Sequence, residues 1–190
     1  MNKNAFYDLF LNILRDAFSA ETQIIAALPQ AIQAASNTEL KNALSRHLEE
    51  TETQLDRLKS IFKTLNENPT GVTCEAMQGL LTECKEAWAC DTTSVVRDAG
   101  LIVALQKVEH YEISTYGSGR AIARHLNDSR LNKNIDFDEI ADKLQQTLDE
   151  ESEADLKLTE IAEGGFFTDG INDEAEKLEV NKLKETTKTT

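Results

Sequence analysis

The chain has 190 residues, 40% of them hydrophobic, which is enough for one substantial core and short for two, so a single domain is expected. Its 34 acidic and 20 basic side chains give a formal net charge of −14, which opposes nucleic acid and anionic membrane as partners. With only 2 prolines and 8 glycines, against long runs of Ala, Leu, Glu, Lys and Gln, the composition predicts an all-α protein.

No apolar run approaches the roughly 20 residues of a membrane span, and MNKNAFYDLF lacks a secretory signal core, so a cytoplasmic location is expected. Cys74, Cys84 and Cys90 are odd in number and fit no zinc spacing, which suggests reduced thiols.

The first helix is expected from about Asn4 to Ala34. Phe10, Leu14, Ala17, Glu21, Ile24 and Leu28 recur on it at steps of three and four. Glu21 is the odd member of this apolar stripe, and Pro29 predicts a kink beyond it. The short break at Ser36-Asn37-Thr38 offers a cap and makes the next helix an antiparallel neighbour. That second helix, about Glu39 to Asn66, carries Leu40, Leu44, His47, Glu50 or Thr51, Gln54 or Leu55, Leu58 and Phe62.

Residues 69–91 read as a crossover with a short amphipathic helix, about Cys74 to Trp88, anchored by Met77, Leu80, Leu81 and Trp88. The third long helix follows Asp91-Thr92-Thr93 and runs to about Leu126, with Gly117 and Gly119 as a weak or bent point. On it, Ile102, Leu105, Glu109, Glu112 and Tyr116 form one stripe, which puts two carboxylates where core is expected. After a loop at 127–134, a fourth long helix from about Asp136 to Ala162 carries Phe137, Ile140, Leu144, Leu148, Glu151, Ala154 or Asp155, and Leu158. The domain is therefore 1–163, and 164–190 reads as a polar, mobile or loosely docked tail.

At about 1.5 Å of rise per residue, Glu21 stands about 25 Å along its helix, Glu50 about 17–20 Å, Glu109 and Glu112 about 27–32 Å, and Glu151 about 23 Å. All fall near mid-height, which predicts one carboxylate-bearing layer. An unpaired buried carboxylate protonates or finds a cation. Carboxylates with a histidine three residues away on facing helices are the way a bundle builds a dinuclear site. The candidate ligands are Glu21, His47, Glu50, Glu109, Glu112 and Glu151, and oxygen donors with one imidazole suit two Fe or Mn ions.

The stretches HLEETETQLDRL, CEAMQGLL, QKVEHYEISTYG and TLDEESEADLKLTEIA resemble the YciE/YciF family of bacterial ferritin-like stress proteins, over about Phe6 to Ala162. This resemblance implies a rubrerythrin-related antiparallel four-helix bundle with a long crossover, a homodimer, and a stress-induced metal protein. The chain departs from the wider ferritin-like pattern of Glu-x-x-His on two helices. His47-x-x-Glu50 is reversed, Glu109-x-x-Glu112 has no histidine, and neither has the fourth helix. His110 points to another side, and His125 suits a helix C-terminus.

Three functions are compatible with this reading. The first is a dinuclear Fe or Mn protein that handles iron, peroxide or another oxidant under stress. In it Glu50 and one of Glu109, Glu112 or Glu151 bridge the ions, Glu21 and His47 are terminal, and Tyr111 or Tyr116 stands by as a hydrogen-bond or electron donor. The second is a non-enzymatic interaction protein with structural metal or none. The third is an oxygenase, which requires a ligand-sized pocket beside the ions.

Overall fold

The computed structural model describes residues 5–90, 92–128, 135–165 and 168–188. Four long helices, α1 (Ala5–Ala34), α2 (Thr38–Leu65), α4 (Ser94–Asp128) and α5 (Phe137–Glu163), form an antiparallel bundle. A short helix, α3 (Glu75–Ala89), lies on the crossover between α2 and α4. Beyond α5, the two-residue strands β1 (Gly164–Gly165) and β2 (Thr168–Asp169) pair antiparallel and lead into α6 (Ile171–Lys188). This is the ferritin-like architecture expected from the sequence, and no described helix is long and apolar enough to cross a membrane.

Capping fixes the ends of these helices. The Asn37 side chain accepts from the backbone N–H groups of Glu39 and Leu40 and opens α2, and Asn66, at φ 54°, closes it. Asp136 opens α5 by accepting from Asp138 and Glu139. The α1–α2 turn is held from outside: buried Asp98 of α4 accepts from Ser36 N–H at 2.9 and 3.1 Å and from Asn37 N–H at 2.7 Å. α1 passes through Pro29, which is exposed, and α4 runs unbroken through Gly117 and Gly119.

α3 docks through Met77, Leu81 and Cys84, with Leu80 and Trp88 partly buried behind them. Its N-cap, Cys74, is tied down by a small polar network. The Cys74 thiol lies 3.0 Å from the Tyr111 hydroxyl and 3.4 Å from Asp16, and Tyr111 donates to the same Asp16 carboxylate. The three cysteines are free, and burial pushes the Cys84 thiol up to about 11.

The segment read as a loose tail is where the structure adds most. A β carbon on Gly164 or Gly170 would stand 2.3–2.4 Å from backbone atoms of the other strand or of α5, so both positions require glycine. The tight return places Ile171 in the core beside Leu158, Ile161 and Ala162, and α6 packs along α4 and α5 while keeping most of its residues exposed.

The interior divides in two. One apolar cluster joins Ile24, Leu44, Leu105, Val108 and Leu158 around α3, and the other joins Leu14, Leu58, Tyr116 and Leu144 at the opposite end. These memberships make α1 parallel to its diagonal partner α5, and α2 parallel to α4. Between the clusters lie the buried polar residues Glu21, His47, Thr51, Gln54, Glu109, Glu112, Thr147 and Glu151.

Candidate metal centre

Each of the four long helices brings at least one acid or imidazole to the dividing layer, because in each the polar residue interrupts an apolar stripe at core register. His47 of α2, Glu109 and Glu112 of α4 and Glu151 of α5 are all buried, and one ligand atom from each lies within 4.8 Å of the others. His47 Nε2 stands 3.5 Å from Glu109 Oε1. With metal–ligand bonds of about 2.1 Å, opposite donors on one ion would stand about 4.2 Å apart, so these four are residues that could hold a cation. Glu21 of α1 is fully buried in the same layer, where Tyr116 donates its hydroxyl proton to one carboxylate oxygen.

The unsatisfied atoms show what this layer fits. Glu21 Oε2, His47 Nε2, Glu109 Oε2 and both oxygens of Glu112 and of Glu151 are buried with no hydrogen-bond partner. Native interiors leave few such atoms, and a group of them converging from four helices matches a cation. Burial, and then the negative charge of Glu151, pushes the Glu21 and Glu109 carboxyls well above the usual carboxylate range. Burial and then Glu21 do the same to Glu112, while burial raises Glu151 against the opposing influence of His47. Burial also lowers His47, so its ring is held neutral and keeps a lone pair. Four carboxyls biased toward the protonated form and one neutral imidazole are thus a donor set that would release protons on taking up a cation.

A neighbouring cation contributes at a distance. Arg57 of α2 grips Glu150 of α5 with two bonds of 2.8 Å and also donates to Thr147, while Gln54 adds a bond of 3.1 Å to Glu150. Burial disfavours charge on Glu150, but these donors more than offset it and hold its carboxyl below the usual range. The same guanidinium acts electrostatically on Glu21.

A family described as a domain of unknown function, DUF892, matches residues 5–176. The chain belongs to this family. This DUF892 chain is 38% identical over 163 residues to Protein YciF of Escherichia coli strain K12, which spans 85% of the chain and 93% of that protein. The crystal structure of the E. coli stress protein YciF matches it with a TM-score of 0.75 at 37% identity, covering 84% of this chain and 94% of that one. YcfI of Rhodopseudomonas palustris, suggested to be a structural protein, matches with a TM-score of 0.75 at 39% identity, covering 85% and 99%. The family resemblance drawn from the signature stretches agrees with these matches.

Of the six ligand candidates in this DUF892 chain, the structure gathers His47, Glu109, Glu112 and Glu151 and places Glu21 in their layer. Glu50 is not brought in. Its carboxylate accepts from Arg46 at 2.8 Å on the α2 surface, and the inward stripe of α2 runs His47, Thr51, Gln54, Leu58. Glu50 lies at +3 and Thr51 at +4 from His47, so both suit a helical stripe, and it is Thr51 that is buried while Glu50 stays partly exposed. His110 is exposed, 3.5 Å from Asp155, away from the layer as expected.

Sequence reasoning misses Arg57, because an arginine beside a core leucine reads as surface. Its available signal is Gln54 one turn earlier, which puts an amide and a guanidinium on one edge. It also misses a cleft of about 610 Å³ between α2 and α5, with His47, Glu50 and Glu109 among its lining residues.

Proposed function

We propose that this chain is a stress-related metal protein in which His47, Glu109, Glu112 and Glu151, with Glu21 beside them, hold Fe or Mn and handle iron, peroxide or another oxidant. The observation that carries this reading is the convergence of buried, unpartnered donors from four helices into one layer. Likeness to a named stress protein supports the physiological setting. Hard carboxylate oxygens with a single imidazole favour Fe or Mn over softer ions. When bound, such an ion supplies Lewis acidity and one-electron chemistry. The chain's part is to close the layer at both ends with the two flanking apolar clusters and to keep His47 unprotonated. Tyr116 adds a hydroxyl proton fixed on Glu21.

The four-donor group accounts for one ion, and Glu21, with one oxygen unpartnered, is the group available to a second. Elemental analysis of protein purified from its native host, followed by an optical scan during peroxide addition, tests this. One or two Fe or Mn per chain with a spectral change supports it; less than about a tenth of an equivalent, with no uptake on reconstitution, rejects it. Glu109→Gln and Glu151→Gln are each expected to remove at least 90% of the metal, while Glu50→Gln keeps it. A homodimer belongs to the same reading, and sedimentation checks it.

A second reading rests on YcfI: a structural protein whose bundle needs no turnover. It is favoured if metal-free protein keeps its fold and site variants still perform in a cellular stress assay.

A further inference from the structure

We propose that the cleft between α2 and α5 is a binding site for an elongated aliphatic amine, its chain directed toward His47 and Glu109 and its cationic head at the rim. The proposal deepens the metal-centre reading, on which it rests for any chemistry, by naming the class of molecule brought beside that centre.

The seam between the two helices is pinned at both ends. Arg57 and Gln54 hold Glu150 at one end, and Lys157 Nζ reaches Glu39 at 2.6 Å at the other. Between the pins the facing residues include Ala43 and Ala154, too small to fill the gap, and the cavity of about 610 Å³ results. Size decides what it suits. A water takes about 30 Å³, and oxygen or peroxide little more, whereas pockets for organic ligands span about 300–1,000 Å³.

The walls are aliphatic, from Leu44, Leu158 and Leu156, the last 67% exposed at the surface. Two groups more than nine-tenths buried line the same cavity with unpartnered atoms, His47 Nε2 and Glu109 Oε2. An extended apolar chain matches such walls, and the charges around them set the head group. Glu39, Glu50, Glu153 and Glu160 face only Arg46 and Lys157. Arg46 is engaged by Glu50, and Lys157 by Glu39 and Glu160. The lining therefore carries an excess of surface acid, with Glu153 the carboxylate left over, and a carboxylate head is repelled where an ammonium is attracted.

Isothermal titration calorimetry of the full chain with decylamine and decanoate, each below its aggregation threshold, tests the assignment on metal-free and metal-loaded protein. Decylamine is expected to bind one per chain, at least ten-fold tighter than decanoate. Ala43→Leu and Ala154→Leu, which fill the cleft, should each weaken decylamine at least ten-fold with metal content unchanged. Exposed Glu153→Lys should cut the preference for decylamine at least three-fold and decides the matter should the leucine variants fail to fold. Equal affinity for the two probes, no binding, or leucine variants that bind as well as the parent overturn the cleft assignment. Decylamine binding with no metal uptake keeps the cleft and rejects the metal centre; normal metal content without decylamine binding does the reverse.

Discussion

Glu112 and Glu151 each bury both carboxyl oxygens without a hydrogen bond, and this sets how the metal-free protein responds to pH. A carboxyl whose pKa is raised on folding contributes stability that is complete below its unfolded value, about 4.3, and that is lost as pH rises through the folded value. Glu21, Glu109, Glu112 and Glu151 all shift upward. His47 shifts downward, so its contribution is present above about 6.5 and lost as pH falls through its lowered value. Four groups against one give the net sign. Metal-free protein should melt at a lower temperature at pH 8 than at pH 5.5, by thermal denaturation followed with circular dichroism. Glu112→Gln should flatten that dependence, and an unchanged slope would show that surface charge sets it instead. Because the ion replaces protons, Mn²⁺ should raise the melting temperature more at pH 8 than at pH 5.5.

Among the helices, the most consequential tie is one carboxylate between two elements. Asp98 sits near the start of α4 yet satisfies two backbone N–H groups in the turn that joins α1 to α2. Asp98→Ala removes the acceptor from two part-buried donors and is expected to destabilise the fold by about 2 kcal/mol in urea denaturation, as for a hydrogen bond to a charged group. The helices themselves were legible in the sequence because apolar stripes, Asn37, Asn66 and Asp136 mark them locally. The polar layer was legible too, since equal depth on four helices follows from rise per residue alone. Glu50 shows where that ended, because choosing between +3 and +4 from His47 depends on how α2 is rotated about its own axis against its neighbours, which its own sequence does not encode. α6 was hidden for another reason: a polar helix docked through Ile171 carries almost no periodic signal. A void such as the α2–α5 cleft belongs to the space between two helices and to neither sequence.

At the scale of the molecule, the two apolar clusters touch the same four helices at opposite ends, and among the described residues a layer of acids, an imidazole and a few neutral polar groups, edged by Arg57, lies between them. Polar groups without partners add little cohesion, so in the metal-free state each half is held chiefly by its own packing. Partial opening of one half is then a low-lying excursion, and slow amide exchange should resolve two sets of protected amides with different opening free energies. An ion gripped by α2, α4 and α5 at mid-height makes parting either half a matter of breaking coordination shared by both. Hydrogen exchange should then merge the two sets into one cooperative unit on loading, while two sets that persist unchanged in metal-loaded protein would mean the centre does not couple them. On this view the layer costs the apo protein its unity, and occupancy alone determines whether the chain opens as two bodies or as one.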